Sequence, residues 1–427
     1  MLMKREKCFA LVDCNQFYVS CERAFQPHLW GKPVGVLSNN DGCIVALSPE
    51  LKALGVKRGA PAFKIQSMIN RYHIHLLSSN YALYGDMSAR VMNILSNFTP
   101  ELEVYSIDEA FLSLEELEIS DWLEYGRQIR QTIQQWLGIP VSVGIAPTKT
   151  LAKIANRVAK KFPAYSGVFD ITDHPRFEDV LKWVEVGDIW GVGYRYAAKL
   201  NEHGIMNAWD LSQVNQKWIE KQMTIVGLRT VKELNGISCI DMELDIMPKK
   251  QIISSRSFGH PVEKLSELLE ATSDYCQVAT LKLRSQCSLA SSIMVYLTTN
   301  RFRDEPQYAN YASCRLSTPS AYIPDFIKAA SRLLNSIYRP GYKYKKVGIM
   351  ISDIIAEKQA PLDFFEPVYI DDHRKIVMDC VDYLNNVWGP GTLAYAAAGI
   401  NKGWQMKRQL LSPNYTSNWQ QLLRIPS

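Results

Sequence analysis

The sequence predicts an α+β protein of several domains, and three observations support this fold class. Strand-like and helix-like segments follow the order β-α-β-β-α-β along residues 8–161, with an insertion after the first helix. The same order recurs over residues 251–352. Between the two series, residues 175–240 have the pattern of several short helices. Each series matches a ferredoxin-like βαββαβ unit.

The first series begins with a continuously apolar strand at residues 8–14. A short helix over about 16–25 and a strand at 34–38 follow, whereas residues 39–87 contain turn signals and are expected to be less regular. The later elements are expected at 87–98 (helix), 103–114 (two strands around an acidic turn), 122–137 (helix), 141–146 (strand) and 149–161 (helix). Thr148 is the expected N-cap of the last helix, because its hydroxyl can accept a backbone hydrogen bond.

The second series has a similar pattern and is preceded by a plausible linker at 237–248. Its elements are expected at 251–256 (strand), 264–285 (helix), 291–298 (strand), 310–316 (strand), 323–338 (helix) and 346–352 (strand). After residue 353 the pattern weakens. We therefore expect a loosely organised tail that ends in a tryptophan-rich segment.

Composition excludes several classes of protein. A length of 427 residues allows about two to four domains, and 47% hydrophobic with 21% charged residues is typical of a globular protein. No apolar run approaches the roughly 18 residues of a membrane span, and the N-terminal segment lacks the apolar core of a signal peptide. The nine cysteines include no C-x-x-C spacing, which favours reduced thiols over disulfides or a zinc site. We therefore expect a cytoplasmic protein with no membrane span.

Positive charge is concentrated in the second series. Residues 249–352 contain 15 Lys and Arg but 7 Asp and Glu, a net charge of +8, whereas the whole chain carries +5. Such an excess favours a polyanionic partner, nucleic acid first. A merely solvated basic surface is the alternative.

Three acidic residues stand at the ends of predicted strands. Asp13 ends the first strand, and Asp108 and Glu109 occupy the turn of the predicted hairpin. Strands one and three are central neighbours in a βαββαβ sheet, so these carboxylates should converge although about 95 residues separate them. Converging carboxylates repel one another unless a cation lies between them, and Mg²⁺ prefers such ligands. Acidic residues at strand ends are also common simply because they are well solvated.

A site of this kind suits two metal ions. Two Mg²⁺ ions roughly 4 Å apart can activate an attacking hydroxyl and stabilise a leaving pyrophosphate. The predicted ligands are Asp13, Asp108 and Glu109, and the backbone carbonyl of Cys14 could add an oxygen.

Several motifs, in order along the chain, resemble one known family. Val12–Tyr18, Tyr105–Phe111 and Val143–Lys153 resemble motifs of the Y-family DNA polymerases, which copy damaged templates. The segments Ser38–Cys43, Ser78–Tyr81 and Trp404–Arg408 are similar to those of the UmuC-type catalytic subunits of bacterial DNA polymerase V. The resemblance covers nearly the whole chain.

The resemblance implies an error-prone, template-directed DNA polymerase without proofreading, which performs translesion synthesis in the bacterial SOS response. Its implied cofactor is Mg²⁺, with two ions, and its implied substrates are primer-template DNA and deoxynucleoside triphosphates. Implied protein partners are a processed UmuD-like dimer, a RecA filament and the sliding clamp. The implied domains are a palm (1–30 and 86–172), fingers (31–85), a helix-hairpin-helix thumb (173–240), a little finger (249–352) and a C-terminal tail (353–427).

The nucleotide pocket is also inferred from the resemblance. Tyr18 corresponds to the steric gate, an aromatic ring that leaves no room for a 2′-hydroxyl, and Phe17 is its packing neighbour; a core tyrosine is the alternative reading. The resemblance also implies that the small residues Cys43 and Val45 form a roof over the nascent base pair. It implies that Lys52 and Lys160 contact the triphosphate. The chain departs from many relatives, which carry Tyr and Arg where it has Pro49 and Lys52. Lysine lacks the bidentate fork of arginine, which weakens the assignment of Lys52.

Three further segments suggest DNA and protein contacts. Gly191 and Gly193, followed by Lys199, have the pattern of a hairpin whose amides can meet a DNA phosphate, although a structural turn is the default for G-x-G. Arginines between aromatic residues in the basic series are predicted to bind DNA, namely Arg256, Arg301, Arg303 and Arg315. Gln359, Leu362 and Phe365 resemble a clamp-binding peptide.

Two other functions compete with the polymerase. A nucleotidyl cyclase can share the carboxylate unit, but it needs neither the glycine hairpin nor a second basic domain. A non-catalytic DNA-binding or regulatory subunit is the other alternative. All three carboxylates and Tyr18 are present, so inactivity would need a separate cause.

Overall fold

The computed structural model describes residues 7–245, 247–359 and 372–423, which form two compact units. The first unit takes in the described residues of 7–38, 42–245 and 410–423. The second takes in those of 39–41, 247–359 and 372–409. None of the nine cysteines forms a disulfide. Among the described residues, no helix is both long and apolar enough to cross a membrane.

The first unit contains short strands and helices in alternation. Its strands are β1 (Phe9–Cys14), β2 (Val34–Leu37), β3 (Ile44–Leu47), β4 (His75–Ser78), β5 (Leu102–Val104), β6 (Glu109–Ser113), β7 (Val141–Ala146) and β8 (Val168–Asp170). Its helices are α1 (Phe17–Phe25), α2 (Pro49–Ala53), α3 (Gln66–Tyr72), α4 (Tyr81–Leu95), α5 (Trp122–Leu137), α6 (Lys149–Lys161), α7 (Phe177–Trp183), α8 (Tyr194–Glu202), α9 (Ala208–Ser212) and α10 (Gln216–Leu234).

Five strands form the central sheet in the order β5-β6-β1-β7-β8. Strand β1 pairs antiparallel with both β6 and β7, so the first strand and the second hairpin strand are neighbours, as predicted. Strand β8 was not predicted; it has three residues and extends the sheet parallel to β7. Such a short edge strand leaves almost no periodic signal in the sequence.

Strand β1 is buried on both faces, which explains its continuous apolar run. Ala10 and Val12 belong to one core cluster, whereas Phe9 and Leu11 belong to another cluster that also includes residues of α6. Because side chains alternate along a strand, Asp13 shares the face of Phe9 and Leu11. The register therefore directs Asp13 toward α6.

Helix α6 lies unusually close to the sheet. A Cβ atom added to Gly144 would lie 2.1 Å from the backbone nitrogen of Asn156, so only glycine allows this approach. The Asn156 amide donates to the carbonyls of Leu11 (3.2 Å) and Ser142 (2.7 Å). The side chain of Thr148 accepts from the Leu151 amide, which confirms the predicted N-cap.

The bounds predicted for α5 and β7 agree with the structure, but two predictions for residues 39–98 were wrong. Helix α4 begins at Tyr81, six residues before the predicted start, because the Asn80 side chain caps it by accepting from the Leu83 amide. The segment 39–87, expected to be less regular, contributes strands β3 and β4, which flank the predicted strand β2 in a three-stranded sheet of order β3-β2-β4. Its strands have only four residues each, too few for a clear alternation.

Helices α7–α10 lie within residues 175–240, where short helices were predicted, although α10 is much longer than a short helix. It contains a break at Thr224, whose φ of 63° and ψ of −172° are not helical. Two helical pieces with separate apolar patterns explain why the sequence suggested several short helices.

The second unit has one antiparallel sheet with the order β11-β10-β12-β9. Its elements are β9 (Ile252–Val262), α11 (Leu265–Ser285), β10 (Ser288–Thr299), β11 (Ala309–Ser320), α12 (Ile323–Ile337), β12 (Tyr344–Ala356) and α13 (Asp372–Trp388). The predicted βαββαβ order is confirmed, with longer strands than expected. Helix α13 was not predicted. Its apolar residues Met378 and Val381 pack against Ile323, a partner that a local pattern cannot reveal.

Candidate active site

The predicted acidic residues meet at one end of the two central strands. Asp13 lies directly opposite Glu109 on β6 and opposite Ser142 on β7. The Cys14 amide donates to the Asp108 carbonyl at 2.8 Å. Residues that are about 95 positions apart in the sequence are therefore cross-strand neighbours.

Two carboxyl groups of this set are in direct contact. The carboxyls of Asp13 and Glu109 share a hydrogen bond. Helix α6 supplies a cation to each: Lys160 Nζ lies 2.5 Å from Asp13 Oδ2, and Lys153 Nζ lies 3.0 Å from Glu109 Oε2. Both charges reach the site because α6 is close to the face on which these carboxylates stand.

Burial controls the protonation of this pair. It raises the pKa of Asp13 to about 7, despite the opposing charge of Lys160. Burial acts on Glu109 in the same direction, but the hydrogen bond with Asp13 and the charge of Lys153 outweigh it and hold the pKa of Glu109 below its usual value. One proton shared between the two groups relieves their repulsion.

Asp108 is arranged differently. Its carboxylate accepts a hydrogen bond from Ser106 Oγ at 2.7 Å, and the same hydroxyl accepts from the amides of Asp108 and Glu109. Ser106 therefore shapes the turn that presents both acidic residues. Within the described ranges, no three ligating side chains converge closely enough to form a metal-binding group.

The donor set nevertheless fits Mg²⁺. This ion commonly takes one or two carboxylates and completes its shell with water and substrate phosphate. Asp13 and Glu109 provide two adjacent carboxylates, and the repulsion that now requires a shared proton and two lysines would equally be relieved by a divalent cation. The Mg²⁺ site stays a prediction from the sequence, and these two carboxylates are the residues that would hold the ion.

Tyr18 lies on α1, five residues after Asp13. Its half-buried ring stacks on the ring of Tyr84, with centroids 4.4 Å apart and planes 14° apart, and Tyr81 meets it edge-on at 6.2 Å. Phe17 is buried in the core. Of the two aromatic residues, Tyr18 is the one with an accessible surface.

The other predicted pocket residues lie on the three-stranded sheet and α2. The Cys43 amide donates to Ser38 Oγ at 3.1 Å, and Val45 packs against the first core cluster. Lys52 is exposed on α2 and forms no ion pair within the described part of the chain. Of the two lysines inferred to bind triphosphate, only Lys160 lies at the carboxylates.

The lysines of α6 do not form one exposed face. Lys149 is buried and forms an ion pair with Glu103, so it does not contribute to a solvent-facing stripe. Lys153 lies over the rings of Tyr105 (4.2 Å) and Trp190 (5.4 Å). The Trp190 indole donates to the Tyr105 hydroxyl at 3.0 Å. The sequence analysis did not assign Tyr105 or Trp190 to the surroundings of Lys153, although Tyr105 begins the motif that contains Glu109 and Trp190 directly precedes Gly191.

Trp190 belongs to the glycine hairpin that precedes α8. Gly191 has a φ of +88°, which disfavours any other residue, and Gly193 is the N-cap of α8. A Cβ atom on Gly193 would meet nothing within 4 Å, so its backbone faces open space. Lys199 lies on α8 and is half-buried. The hairpin thus exposes backbone amides at a helix N-terminus.

Comparisons with known proteins identify the family. The impB/mucB/samB family matches residues 12–157, its C-terminal domain matches 249–364, and a domain of unknown function matches 375–425. Protein UmuC of Salmonella typhimurium is 42% identical over 98% of this chain and 100% of its own length. The chain belongs to the impB/mucB/samB family. Protein ImpB of Salmonella typhimurium is 41% identical over 97% of this chain and 98% of its own length.

More distant relatives and solved structures extend this family assignment. DNA polymerase IV 1 of Bacillus subtilis is 28% identical over 93% of both chains. A Y-family DNA polymerase chimera that contains Dbh sequence has a TM-score of 0.64 at 24% identity, over 82% of this chain and 99% of its own. A ternary complex of Dbh has a TM-score of 0.54 at 23% identity, with the same coverage. This family member therefore has the Y-family fold, and the resemblance inferred from its motifs is confirmed.

The family's C-terminal domain carries the predicted DNA-binding arginines, but they do not share one face. Arg315 lies opposite Ser292, on the side of the sheet that the helices leave open. Arg256 lies opposite Val347, which belongs to the helix-covered core. Because directly opposed residues point to the same face, Arg256 lies on the helix side of the sheet. On that side, burial lowers the pKa of Lys282, and the positive charge of Arg256 lowers it further. Arg301 and Arg303 lie in the exposed loop between β10 and β11.

The tail of this family member is more organised than its sequence suggested. Of the predicted clamp-binding residues, Gln359 ends a short 3₁₀ helix, whereas Leu362 and Phe365 lie outside the described residues. Trp404 is buried in the core of the second unit between Phe258 and Tyr275, so it docks on the body of the protein. Trp419 is 89% exposed.

Proposed function

We propose that this protein is an error-prone, template-directed DNA polymerase that performs translesion synthesis in the bacterial SOS response. The observation that carries the proposal is Asp13 opposite Glu109 at the end of the central sheet, with Tyr18 five residues further along the chain. Family membership and relatives named as DNA polymerases support the same reading.

The proposed mechanism is nucleotidyl transfer. The primer 3′-hydroxyl attacks the α-phosphate of a deoxynucleoside triphosphate, a P–O bond forms, and pyrophosphate leaves. Two bound Mg²⁺ ions would assist the attacking hydroxyl and the leaving pyrophosphate electrostatically. Asp13 and Glu109 would hold the ions, with Asp108 and the Cys14 carbonyl as further oxygen ligands. The residues contribute mainly position and charge.

The remaining site residues position the substrates. Lys160, which now neutralises Asp13, is placed to exchange this partner for a triphosphate oxygen. Lys52 is the second proposed triphosphate contact. Tyr18 would exclude a 2′-hydroxyl, with Phe17 behind it, and Cys43 and Val45 would cover the nascent base pair.

DNA contacts are assigned to domains named by analogy with the family. We assign the palm to 1–30 and 86–172, the fingers to 31–85, the thumb to 173–240 and the little finger to 249–352. The Gly191–Gly193 hairpin, with Lys199, would hold a DNA phosphate through its exposed amides. The arginines of the little finger would add sequence-independent affinity.

Proposed partners follow from the family. They are a processed UmuD-like dimer, a RecA filament and the sliding clamp, the last bound by a peptide that includes Gln359, Leu362 and Phe365. A DNA substrate places the protein in the bacterial cytoplasm. We expect it to lack proofreading.

Primer extension past one abasic site tests the function. The reaction would contain Mg²⁺, four deoxynucleoside triphosphates, clamp and the proposed partners. Asp13→Asn and Glu109→Gln keep the side-chain shape but remove charge, and each should lower the extension rate at least about a hundredfold. Glu124→Gln, at an exposed position of α5, is the matched control and should leave the rate unchanged.

Two results would overturn the proposal. Wild-type protein that binds primer-template DNA but extends no primer with any combination of partners would indicate a regulatory subunit. Cyclic nucleotide formed from a triphosphate without DNA would indicate a cyclase.

A further inference from the structure

The C-terminal segment 410–415 is docked inside the first unit. The Ser78 amide donates to the Leu410 carbonyl at 2.9 Å, and the Leu410 amide donates to Ser78 Oγ at 3.0 Å. Tyr415 stacks on Phe25 of α1, with centroids 4.9 Å apart and planes 8° apart. Both Ser412 and Tyr415 are buried. This segment belongs to the region that matches a domain of unknown function.

Asn80 connects the segment to helix α4. Its side-chain oxygen accepts from the Leu83 amide and caps the helix. Its amide nitrogen donates to the carbonyls of Ser412 (3.1 Å) and Pro413 (3.2 Å) and to Ser412 Oγ (3.0 Å). One buried residue therefore fixes both the start of α4 and the path of the C-terminal segment.

Ser412 then reaches the buried carboxylate of Glu22 on α1. Ser412 Oγ donates to Glu22 Oε1 at 3.0 Å, and the Tyr84 hydroxyl donates to the same oxygen at 2.7 Å. Gln26 donates to the other oxygen at 3.2 Å. Glu22 and Tyr84 are completely buried, so their positions are set by these contacts and by the surrounding core.

The ring of Tyr84 is the surface on which Tyr18 stacks. A continuous series of contacts thus leads from Ser412 through Glu22 and Tyr84 to Tyr18. Steric exclusion of one hydroxyl depends on the position of a ring to within about 1 Å. The residue behind that ring therefore influences the exclusion as well.

We propose that Tyr84, Glu22 and Ser412 are positioning residues for Tyr18, through which the C-terminal segment helps to discriminate between deoxyribonucleotides and ribonucleotides. The inference rests on the proposed function, because it assumes that Tyr18 faces the sugar of an incoming nucleotide. It assigns a role to a segment that none of the catalytic motifs includes. A purely structural role would instead change stability and leave sugar discrimination intact.

The test measures kcat/KM for a deoxynucleotide and for the matching ribonucleotide on one primer-template. Tyr84→Phe removes only the hydroxyl and keeps the stacked ring. Ser412→Ala removes the donor from the C-terminal segment. Ser417→Ala, two residues beyond the segment and exposed, is the matched control, and Tyr18→Ala defines the loss of the ring itself.

We expect Tyr84→Phe and Ser412→Ala to lower the discrimination ratio about threefold to tenfold, the factor that corresponds to the loss of one hydrogen bond to Glu22. The change should lie mainly in a lower KM for the ribonucleotide, with kcat for the deoxynucleotide little altered. Ser417→Ala should retain the wild-type ratio. Ser412→Thr keeps a hydroxyl and should restore most of the discrimination.

The outcomes separate this inference from the proposed function. If Tyr18→Ala admits ribonucleotides while Tyr84→Phe and Ser412→Ala keep the wild-type ratio, the positioning role is wrong and the polymerase stands. Lower melting temperatures without a change in ratio lead to the same conclusion. Wild-type protein that incorporates neither nucleotide overturns the proposed function and this inference with it.

Discussion

Lys149 and Glu103 form an ion pair inside the first unit, with side chains that are 1% and 8% exposed. Lys149 Nζ also donates to the Asp241 carbonyl at 2.7 Å, and the Glu103 carboxylate accepts from the Glu243 amide at 2.8 Å. The pair therefore joins the start of α6 to strand β5 and holds residues 241–243. Both charges are satisfied only while both partners are present.

Removal of one partner should be costly. Lys149→Met leaves the Glu103 charge buried and unpaired, and we expect it to lower the free energy of unfolding by about 3 to 5 kcal/mol. Lys149→Met combined with Glu103→Leu should cost much less, because no charge is stranded. Chemical denaturation measures these values. Lys182→Met breaks an exposed pair with Glu178 and should leave the free energy of unfolding almost unchanged. An equal loss of stability in Lys149→Met and Lys182→Met would contradict the prediction.

Asp13→Asn should stabilise the metal-free protein at alkaline pH. Burial raises the pKa of Asp13 from 3.8 to about 7, so the folded state binds more protons than the unfolded state between these values. The stability of the wild type therefore falls as pH rises through this window. At pH about 8 we expect the variant to be more stable by roughly 1 to 3 kcal/mol, as measured by thermal unfolding in chelator.

Addition of Mg²⁺ should make the wild type more stable than Asp13→Asn. The ion compensates the charge of Asp13 and Glu109, so it should raise the melting temperature of the wild type but not that of Asp13→Asn. Glu124→Gln serves as the control and should respond like the wild type. A wild-type melting temperature that ignores Mg²⁺ at every pH would argue against a metal site here.

The two hairpin glycines should respond differently to alanine. Gly191 has a positive φ, so Gly191→Ala should lower the free energy of unfolding by about 1 kcal/mol or more. Gly193→Ala places its methyl group in open space and should lower the free energy of unfolding by less than Gly191→Ala does. It should nevertheless weaken DNA binding, and the slope of log affinity against log salt should fall by about 1. Fluorescence anisotropy over a salt series measures this slope. A slope equal to that of the wild type would exclude this phosphate contact.

Asp382→Ala should loosen helix α13. The Arg284 guanidinium donates to both Asp382 oxygens at 2.7 Å in a bidentate pair that is mostly buried. We expect the variant to be cleaved within residues 372–388 at least about fivefold faster in limited proteolysis, because loss of roughly 1 kcal/mol raises the opened population by that factor. Lys375→Ala breaks an exposed pair on the same helix and should leave the cleavage rate unchanged. Equal rates for both variants would show that apolar packing alone holds the helix.

Local patterns predicted the elements whose signals lie within the sequence. The structure has the 16-residue amphipathic helix α5, the apolar strand β7 and the Thr148 cap where they were expected. Asn80 shows the limit of this approach. Its role as a helix cap can in principle be predicted from the sequence. Its amide also donates to Ser412, 332 positions away, and no local pattern predicts that contact.

By itself, the sequence determined the βαββαβ order of both units, the acidic residues at the strand ends and the family. These properties depend on periodicity, turn chemistry and motifs, which are local. Only the tertiary structure decided which partners each charge meets and, for charges on strands, which face of the sheet they occupy. It placed Lys153 and Lys160 beside the carboxylates, buried Lys149 and separated Arg256 from Arg315. The physical reason is that the partners of these charges lie far away in the chain. On a strand, a shift of one residue in register also moves a side chain to the opposite face, and distant partners set the register.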